Sequence, residues 1–155
     1  PLLLVTPEQR EEETIMRLSR VGYDNCLGFL NGGVKAWEQS GREISRINSI
    51  SPGEFAGQYG TGPVTLDVRK PGEFDAGHLK QASSRPLDFI FEWIGKLDKN
   101  GQYLVHCAGG YRSMIAASIM KKAGISNLTD VQGGFGAISK NDTFKDQIIS
   151  APVKA

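Results

Sequence analysis

The chain has few of the side chains that build metal centres and disulfide frameworks. Its 155 residues include two cysteines, Cys26 and Cys107, and two histidines, His78 and His106. Neither cysteine belongs to a CxxC pair or to a Cys/His cluster with metal-ligand spacing. We therefore expect no metal, no organic cofactor and no structural disulfide, and we expect a reducing cytoplasm as the location.

Excess charge and long apolar segments are also missing. The 18 basic and 17 acidic side chains leave a net charge of +1, which argues against nucleic acid as a partner. No apolar segment reaches the length of a membrane span, and residues 1–5 are too short for a signal-peptide core. The length and the 39% share of apolar residues fit one compact domain with a modest addition.

The most informative stretch places Cys107 on a tight loop between a predicted strand and a predicted helix. Residues 103–106 form an apolar and aromatic run with the length of a short buried strand. Residues 114–120 are apolar on most sides and predict a buried helix. Strand, cysteine, loop and helix follow one another in the order that an activated thiolate needs.

Two features of this loop predict that Cys107 is a nucleophile. Gly109 and Gly110 let successive backbone N–H groups turn toward the sulfur. A helix that starts near Arg112 or Ser113 adds the positive end of its dipole, which favours the thiolate. Free cysteine has a pKa of about 8.5, whereas cysteines at helix N-termini reach roughly 3.5 to 7.5. We expect Arg112 to pair with the anion that reaches the sulfur. The alternative is a small buried core cysteine.

Three motifs in the chain resemble those of one family. Residues 107–113, Cys-Ala-Gly-Gly-Tyr-Arg-Ser, resemble the active-site loop of rhodanese-type sulfurtransferases. Residues 66–79, with an Asp-Val-Arg element and a Gly-His step, are similar to the upstream signature of that family. Residues 133–138, which begin with two glycines, resemble its closing motif. The motifs stand in the order of the family and extend over residues 50–140.

This resemblance implies both a fold and a set of site residues. The fold is α/β, an open and mainly parallel five-stranded sheet with helices on both faces, which the alternation of strands and helices also favours. Cys107 is the catalytic nucleophile, and Asp67, Arg69 and His78 support the loop. The anion-binding loop consists of the residues that follow the nucleophile: Ala108, Gly109, Gly110, Tyr111, Arg112 and Ser113.

The chain departs from the family pattern beside the substrate entrance. Gln81 stands where the family usually has glycine, and Ser84 and Arg85 replace the usual asparagine and apolar residue before Pro86. These changes leave the Cys107 loop intact. At the entrance, Arg85 would favour anionic donors.

The first part of the chain repeats part of this arrangement. In residues 1–45 the order is strand, helix, glycine, strand, Gly-Gly and short helix, as in residues 104–138, at an offset of about 100. The glycine pair at 32–33 corresponds to the pair at 133–134. We interpret residues 1–45 as the C-terminal half of an inactive rhodanese-like domain, and residues 50–145 as the complete catalytic domain.

The half-copy leads to expectations about the whole protein. It has no cysteine at its loop position, and Cys26 matches about Leu128, so we expect Cys26 to pack in a core. Because the chain opens with Pro1, we expect a fragment of a longer protein. It resembles bacterial fusions in which a metallo-β-lactamase-like persulfide dioxygenase lies upstream. The apolar strand at 2–5 lacks flanking strands, so we expect the half-copy to dock on the complete domain or to form a homodimer.

Local signals predict the remaining elements. Thr6, Pro7 and Gln9 predict a capped helix over residues 7–21, and Ser51 with Glu54 caps another helix. The other predicted elements are a linker at 44–51, strands at 64–68 and 82–83, helical spacing over 87–97, a last amphipathic helix at 141–149 and a frayed end at 151–155.

These observations yield three hypotheses for the function. The first is a sulfurtransferase that moves sulfur from thiosulfate, glutathione persulfide or polysulfide through Cys107 to a thiol or cyanide. The second is a cysteine phosphatase, but the four residues 108–111 between Cys107 and Arg112 match the sulfurtransferase loop, whereas the phosphatase relatives have five. The third is a regulatory module that binds a partner protein, which suits the half-copy and not the intact loop.

Overall fold

The chain is divided into two compact units, one from Pro1 to Arg46 and one from Ile47 onward. The computed structural model describes residues 1–150. The frayed end predicted at 151–155 lies outside the described residues. In the described part of the chain, no helix has the length and apolar character needed to cross a lipid bilayer.

The first unit contains two strands and two helices. In chain order they are β1 (Leu2–Leu4), α1 (Glu11–Ser19), β2 (Cys26–Phe29) and α2 (Gly33–Gln39). The two strands pair in parallel. Leu3 is 78% exposed, and further large apolar side chains of this unit are also exposed: Val5, Leu27, Phe29, Val34 and Trp37. Such a surface suits the predicted docking, which itself stays a prediction. Cys26 is only half buried.

Helix α1 is shorter than the sequence predicts. It begins at Glu11, after an N-cap at Arg10 that makes no side-chain capping bond. Gln9 has a left-handed backbone, φ 65°, which interrupts the helical conformation between Pro7 and Glu11. The predicted cap at Thr6 is therefore wrong, and its hydroxyl has no hydrogen-bond partner within the described residues.

The second unit is organised around a sheet of five parallel strands. The strands of this unit are β3 (Asn48–Ile50), β4 (Val64–Asp67), β5 (Gly77–Leu79), β6 (Ala82–Ser84), β7 (Tyr103–His106), β8 (Leu128–Val131) and β9 (Ile148–Ser150). The order in the central sheet is β3-β8-β7-β4-β6, and β5 pairs with β9 in a separate antiparallel ribbon. The predicted α/β class with a five-stranded parallel sheet is confirmed.

Helices cover both faces of the central sheet. The α-helices are α3 (Pro52–Gln58), α4 (Pro71–Ala76), α5 (Ile90–Trp93), α6 (Tyr111–Lys122) and α7 (Gly134–Ile138), and the 3-10 turns are Leu87–Phe89, Ile94–Lys96 and Asp142–Gln147. One core cluster joins α5 and α6 to Leu66 and Val105. The other joins α3 and α7 to Leu104 and Val131. Neighbouring strand residues therefore point to opposite faces, as the pleat requires.

Two segments differ from their predictions because strand pairing overrides a weak local pattern. The stretch predicted as a linker, residues 44–51, contains β3, which pairs in parallel with β8. The predicted last helix is a 3-10 turn followed by β9, whose residues bond to β5. The capping box at Ser51 and Glu54 is confirmed.

Gly134 allows α7 to approach the loop that follows β7. It has a φ of 54°, and an added Cβ would lie 2.3 Å from the carbonyl oxygen of Cys107. Real Cβ atoms do not approach backbone oxygen so closely, so any larger residue would push α7 away from the loop.

We predict that Gly134→Ala destabilises the chain by about 3 kcal/mol, since overpacking and a left-handed alanine each cost energy. Gly72→Ala is the matched control, because nothing lies within 4 Å of its added Cβ. The free energy of urea unfolding, followed by circular dichroism, measures both. Equal unfolding free energies for the two variants would contradict the packing argument.

Candidate active site

The site lies at the carboxyl end of β7, where the chain turns into α6. Cys107 follows the strand directly and is only 1% exposed. Ala108 and Gly109 are exposed, and Gly110 caps α6 with a φ of 105°. The helix begins at Tyr111, one or two residues before the predicted start near Arg112 or Ser113. The carboxyl edge of a parallel sheet is the usual position of a site in this class of fold.

The Cys107 sulfur is surrounded by hydrogen-bond donors. The Gly110 N–H donates to Sγ at 3.1 Å, and the Ser113 hydroxyl oxygen lies 3.5 Å from Sγ. Burial raises the pKa of the thiol. Hydrogen bonds from the Ser113 hydroxyl and from the backbone N–H groups of Ser113, Gly110 and Gly109 lower it, and their combined effect is larger than that of burial. On balance the pKa of Cys107 is below its ordinary value, so this environment favours the thiolate.

Helix α7 fixes the orientation of the first peptides of this loop. The Phe135 N–H donates to the Cys107 carbonyl at 2.6 Å, and the Gly136 N–H donates to the Ala108 carbonyl at 3.0 Å. In a trans peptide the N–H points opposite to the C=O. Fixing the Ala108 carbonyl toward α7 therefore turns the Gly109 N–H toward the sulfur. The glycine pair at 133–134 is identifiable as a motif in the sequence, but its orienting role becomes visible only in the structure.

Arg112 has a partner that the sequence analysis missed. Its guanidinium makes two hydrogen bonds to the Glu73 carboxylate, at 2.6 and 2.9 Å. These bonds lower the pKa of Glu73 to about 2, so the carboxylate is ionised at any ordinary pH. The pKa of Arg112 is raised, first by Glu73 and also by the nearby Cys107 thiolate. The expected pairing of Arg112 with an anion that reaches the sulfur stays a prediction, and in this structure α4 supplies an anionic partner, the Glu73 carboxylate.

A signal for Glu73 was present in the sequence. It stands at the third position of α4, where it also accepts the Lys70 N–H at 3.2 Å in the manner of a capping residue. That local role gave no reason to connect it with Arg112, which lies 39 residues further along the chain.

Asp67 and Arg69 form a buried ion pair next to the site. The Arg69 guanidinium binds both carboxylate oxygens of Asp67, with Nη2 at 2.6 Å from Oδ2, and donates to the Gly77 carbonyl at 2.7 Å. It also lies 3.9 Å above the Phe135 ring. The pair therefore ties the end of β4 to β5 and to α7, at a position consistent with a supporting role.

The two histidines are held in different environments. The His78 ring stacks on Phe74 at 3.8 Å, and its Nδ1 lies 2.8 Å from the Phe74 carbonyl. His106 is fully buried, with Nε2 3.9 Å from the Asp67 carboxylate. Burial lowers the pKa of His106, so its ring is neutral near pH 7. Neither ring contacts the Cys107 sulfur in the described hydrogen bonds, although His106 Nδ1 lies 3.4 Å from the Cys107 carbonyl.

The departures from the family pattern lie at the two ends of β6, with Arg85 at the carboxyl end, on the side of the site, and Gln81 at the amino end. The Arg85 N–H donates to the Asp67 carbonyl at 2.8 Å, which extends the pairing of β6 with β4 by one residue. The Gln81 N–H donates to the Tyr59 hydroxyl, away from the loop. Within residues 1–150, no three His, Cys, Asp or Glu side chains are grouped in a way that could hold a metal ion.

The second unit of the chain matches a known protein family. The sequence model of the family described as "Rhodanese-like domain" matches residues 51–141. The thiosulfate sulfurtransferase GlpE of Pseudomonas entomophila is 30% identical over 92 residues, which cover 59% of this chain and 84% of that protein. The probable adenylyltransferase/sulfurtransferase MoeZ of Mycobacterium tuberculosis is 33% identical over 102 residues, which cover 63% of this chain but 26% of that protein.

Solved structures give the same result. A rhodanese-like domain protein from Staphylococcus aureus superposes with a TM-score of 0.55 at 30% identity and covers 59% of this chain and 91% of its own. A rhodanese-related protein from Thermoplasma volcanium superposes with a TM-score of 0.56 at 28% identity, over 60% of this chain and 91% of its own. The family match includes the Cys107 loop, the Asp67 element and the Gly133–Gly134 pair. The chain therefore belongs to the rhodanese-like domain family.

Proposed function

We propose that this protein is a sulfurtransferase in which Cys107 carries the sulfur. The donor is thiosulfate or a low-molecular-weight persulfide, and the acceptor is a thiol or cyanide. The observation that carries the proposal is the set of donors around Sγ, with the Gly110 N–H at 3.1 Å and the Ser113 hydroxyl nearby. Relatives named as thiosulfate sulfurtransferases support the donor class.

The reaction consists of two displacements at sulfur. The Cys107 thiolate attacks the outer sulfur of thiosulfate, an S–S bond forms to Sγ, and sulfite leaves with the electron pair of the broken S–S bond. The acceptor thiolate then attacks the terminal sulfur of the Cys107 persulfide, and the Cys107 thiolate leaves. The N–H groups that favour the thiolate also stabilise the negative charge of the terminal persulfide sulfur.

The remaining site residues position this loop. The ion pair of Glu73 with Arg112 ties α4 to the first turn of α6, while Asp67 and Arg69 support the end of β4. Tyr111 is largely exposed at the start of α6, where it can contact a donor or acceptor molecule.

We predict that incubation with thiosulfate or glutathione persulfide adds about 32 Da, the mass of one sulfur atom, to the intact protein. Cys107→Ala should abolish this addition, because the nucleophile is lost. Cys26→Ser is the control and should retain it, since Cys26 lies in the first unit. Absence of the added mass with both donors in the unmodified protein would contradict the proposal.

We predict that the Cys107 thiol is alkylated by iodoacetamide at lower pH than a free cysteine of pKa about 8.5, because its pKa is lowered. Ser113→Ala removes a hydrogen bond to the thiolate and should slow the reaction at pH 7 about tenfold. The exposed Ser118 on the same helix supplies the control, Ser118→Ala. Peptide masses separate the reaction at Cys107 from that at Cys26. A rate at pH 7 unchanged by Ser113→Ala would show that the hydroxyl does not stabilise the thiolate.

We predict that Arg112→Ala lowers kcat/KM for thiosulfate about tenfold or more, because the variant loses the guanidinium next to the Cys107 thiolate, and a hydrogen bond to a charged group contributes about 1.5 to 3 kcal/mol. Glu73→Ala should cause a smaller loss, because Arg112 remains but is no longer held. The double variant should be no worse than Arg112→Ala alone, since both changes act through one ion pair. Additive losses from steady-state kinetics would mean that Glu73 acts independently of Arg112.

A further inference from the structure

Two of the arginines at the carboxyl edge of the sheet are already neutralised by carboxylates. Arg112 binds Glu73, and Arg69 binds Asp67. Arg85 also lies at this edge, directly after β6, and in the described part of the chain no carboxylate pairs with it. Its positive charge is therefore available to an incoming anion.

The register of the sheet places Arg85 in line with the nucleophile. Ser84, Asp67 and His106 are opposite one another on β6, β4 and β7. The pairing continues beyond them, because the Arg85 N–H donates to the Asp67 carbonyl and the Val68 N–H donates to the His106 carbonyl. The next row across the three chains is therefore Arg85, Val68 and Cys107.

The pleat puts these three side chains on one face of the sheet. Val68 and Cys107 belong to the core cluster on the α6 face, together with Leu66 and Val105 two residues before them. Residues in register on parallel strands point to the same side. Arg85 therefore shares the face of Cys107, whereas the alternating residues Asp67 and His106 belong to the opposite face.

The separation of Arg85 from Cys107 and the hydrogen bond that holds its guanidinium are also compatible with recognition of an anion. Two strand spacings separate the backbones of Arg85 and Cys107, or about 10 Å. This is about one Debye length at 0.1 M salt, so the charge still acts at the sulfur but is partly screened, and it acts more strongly at lower salt. The side chain is half buried, and its Nη1 donates to the Ser84 carbonyl at 2.9 Å, which holds the guanidinium beside the strand end.

We propose that Arg85 is a specificity-determining residue that attracts and binds the negative charge of the sulfur donor, so that the site prefers anionic donors such as thiosulfate. The identification of the bound anion as a sulfur donor rests on the proposed function. The recognition of an anion beside Cys107 stands on the geometry alone.

The test compares two alkylating reagents of similar size, iodoacetate, which is an anion, and iodoacetamide, which is neutral. Both react with the same Cys107 thiolate, so effects on pKa and on access cancel in the ratio of their rates. Peptide masses report the reaction at Cys107 apart from that at Cys26. The variants are Arg85→Gln, the charge-preserving Arg85→Lys, and Lys122→Gln, which removes one exposed charge at the far end of α6, roughly 16 Å along the helix.

We expect Arg85→Gln to lower the iodoacetate-to-iodoacetamide ratio about three- to fivefold at low salt, the size of one partly solvated charge interaction. Arg85→Lys should retain most of the ratio, and Lys122→Gln should leave it unchanged. The difference in this ratio between Arg85→Gln and the unmodified protein should largely disappear at 1 M salt, where the Debye length is about 3 Å. With thiosulfate as donor, Arg85→Gln should raise KM more than it lowers kcat.

Several outcomes would overturn the assignment. An unchanged ratio in Arg85→Gln, or an equal loss in Lys122→Gln, would show that Arg85 does not act at the site. Lys70, which is exposed and follows β4, is the competing cation. If Lys70→Gln causes the larger loss, the anion is recognised there instead. If the ratio responds to Arg85 but the protein accepts no sulfur, the proposed function fails while the anion site remains.

Discussion

The structure of the site depends on two backbone hydrogen bonds from α7. The N–H groups of Phe135 and Gly136 hold the carbonyls of Cys107 and Ala108, and Gly134 allows α7 to come close enough to make these bonds. With the Ala108 carbonyl fixed on one side, the N–H of the following residue, Gly109, points to the sulfur on the other. Helix α7 thus contributes to the environment that lowers the pKa of Cys107 without a side chain at the sulfur, while Ser113 on α6 and the Gly110 N–H supply the other hydrogen bonds.

Charge is distributed differently on the two faces of the sheet. The face of Asp67 and His106 contains a buried ion pair and a neutral imidazole. The face of Cys107 contains Arg112, whose charge is balanced by Glu73, and Arg85, whose charge is not balanced in the described residues. The pleat of the strands therefore separates the buried Asp67 side chain from that of Arg85, whose charge we propose to face the sulfur donor.

The two units use the same local geometry around their glycine pairs. A Cβ on Gly33 would lie 3.1 Å from the Thr6 carbonyl oxygen, as one on Gly134 would approach the Cys107 carbonyl. Thr6 thus stands in the first unit where Cys107 stands in the second. A threonine hydroxyl cannot carry a sulfane sulfur, which suits our interpretation of residues 1–45 as a half-copy without a nucleophile.

The sequence by itself determined the α/β class, the Ser51 cap and the Cys107 loop, because hydrophobic periodicity, capping residues and glycine pairs act over a few neighbouring positions. Tertiary structure decided the pairing of β3 and β9, the late start of α1, the partnership of Arg112 with Glu73 and the row that joins Arg85 to Cys107. With the exception of the α1 start, these features bring together residues far apart in the chain. Local patterns cannot specify them, because strand register and ion pairing are selected by the packing of the whole sheet.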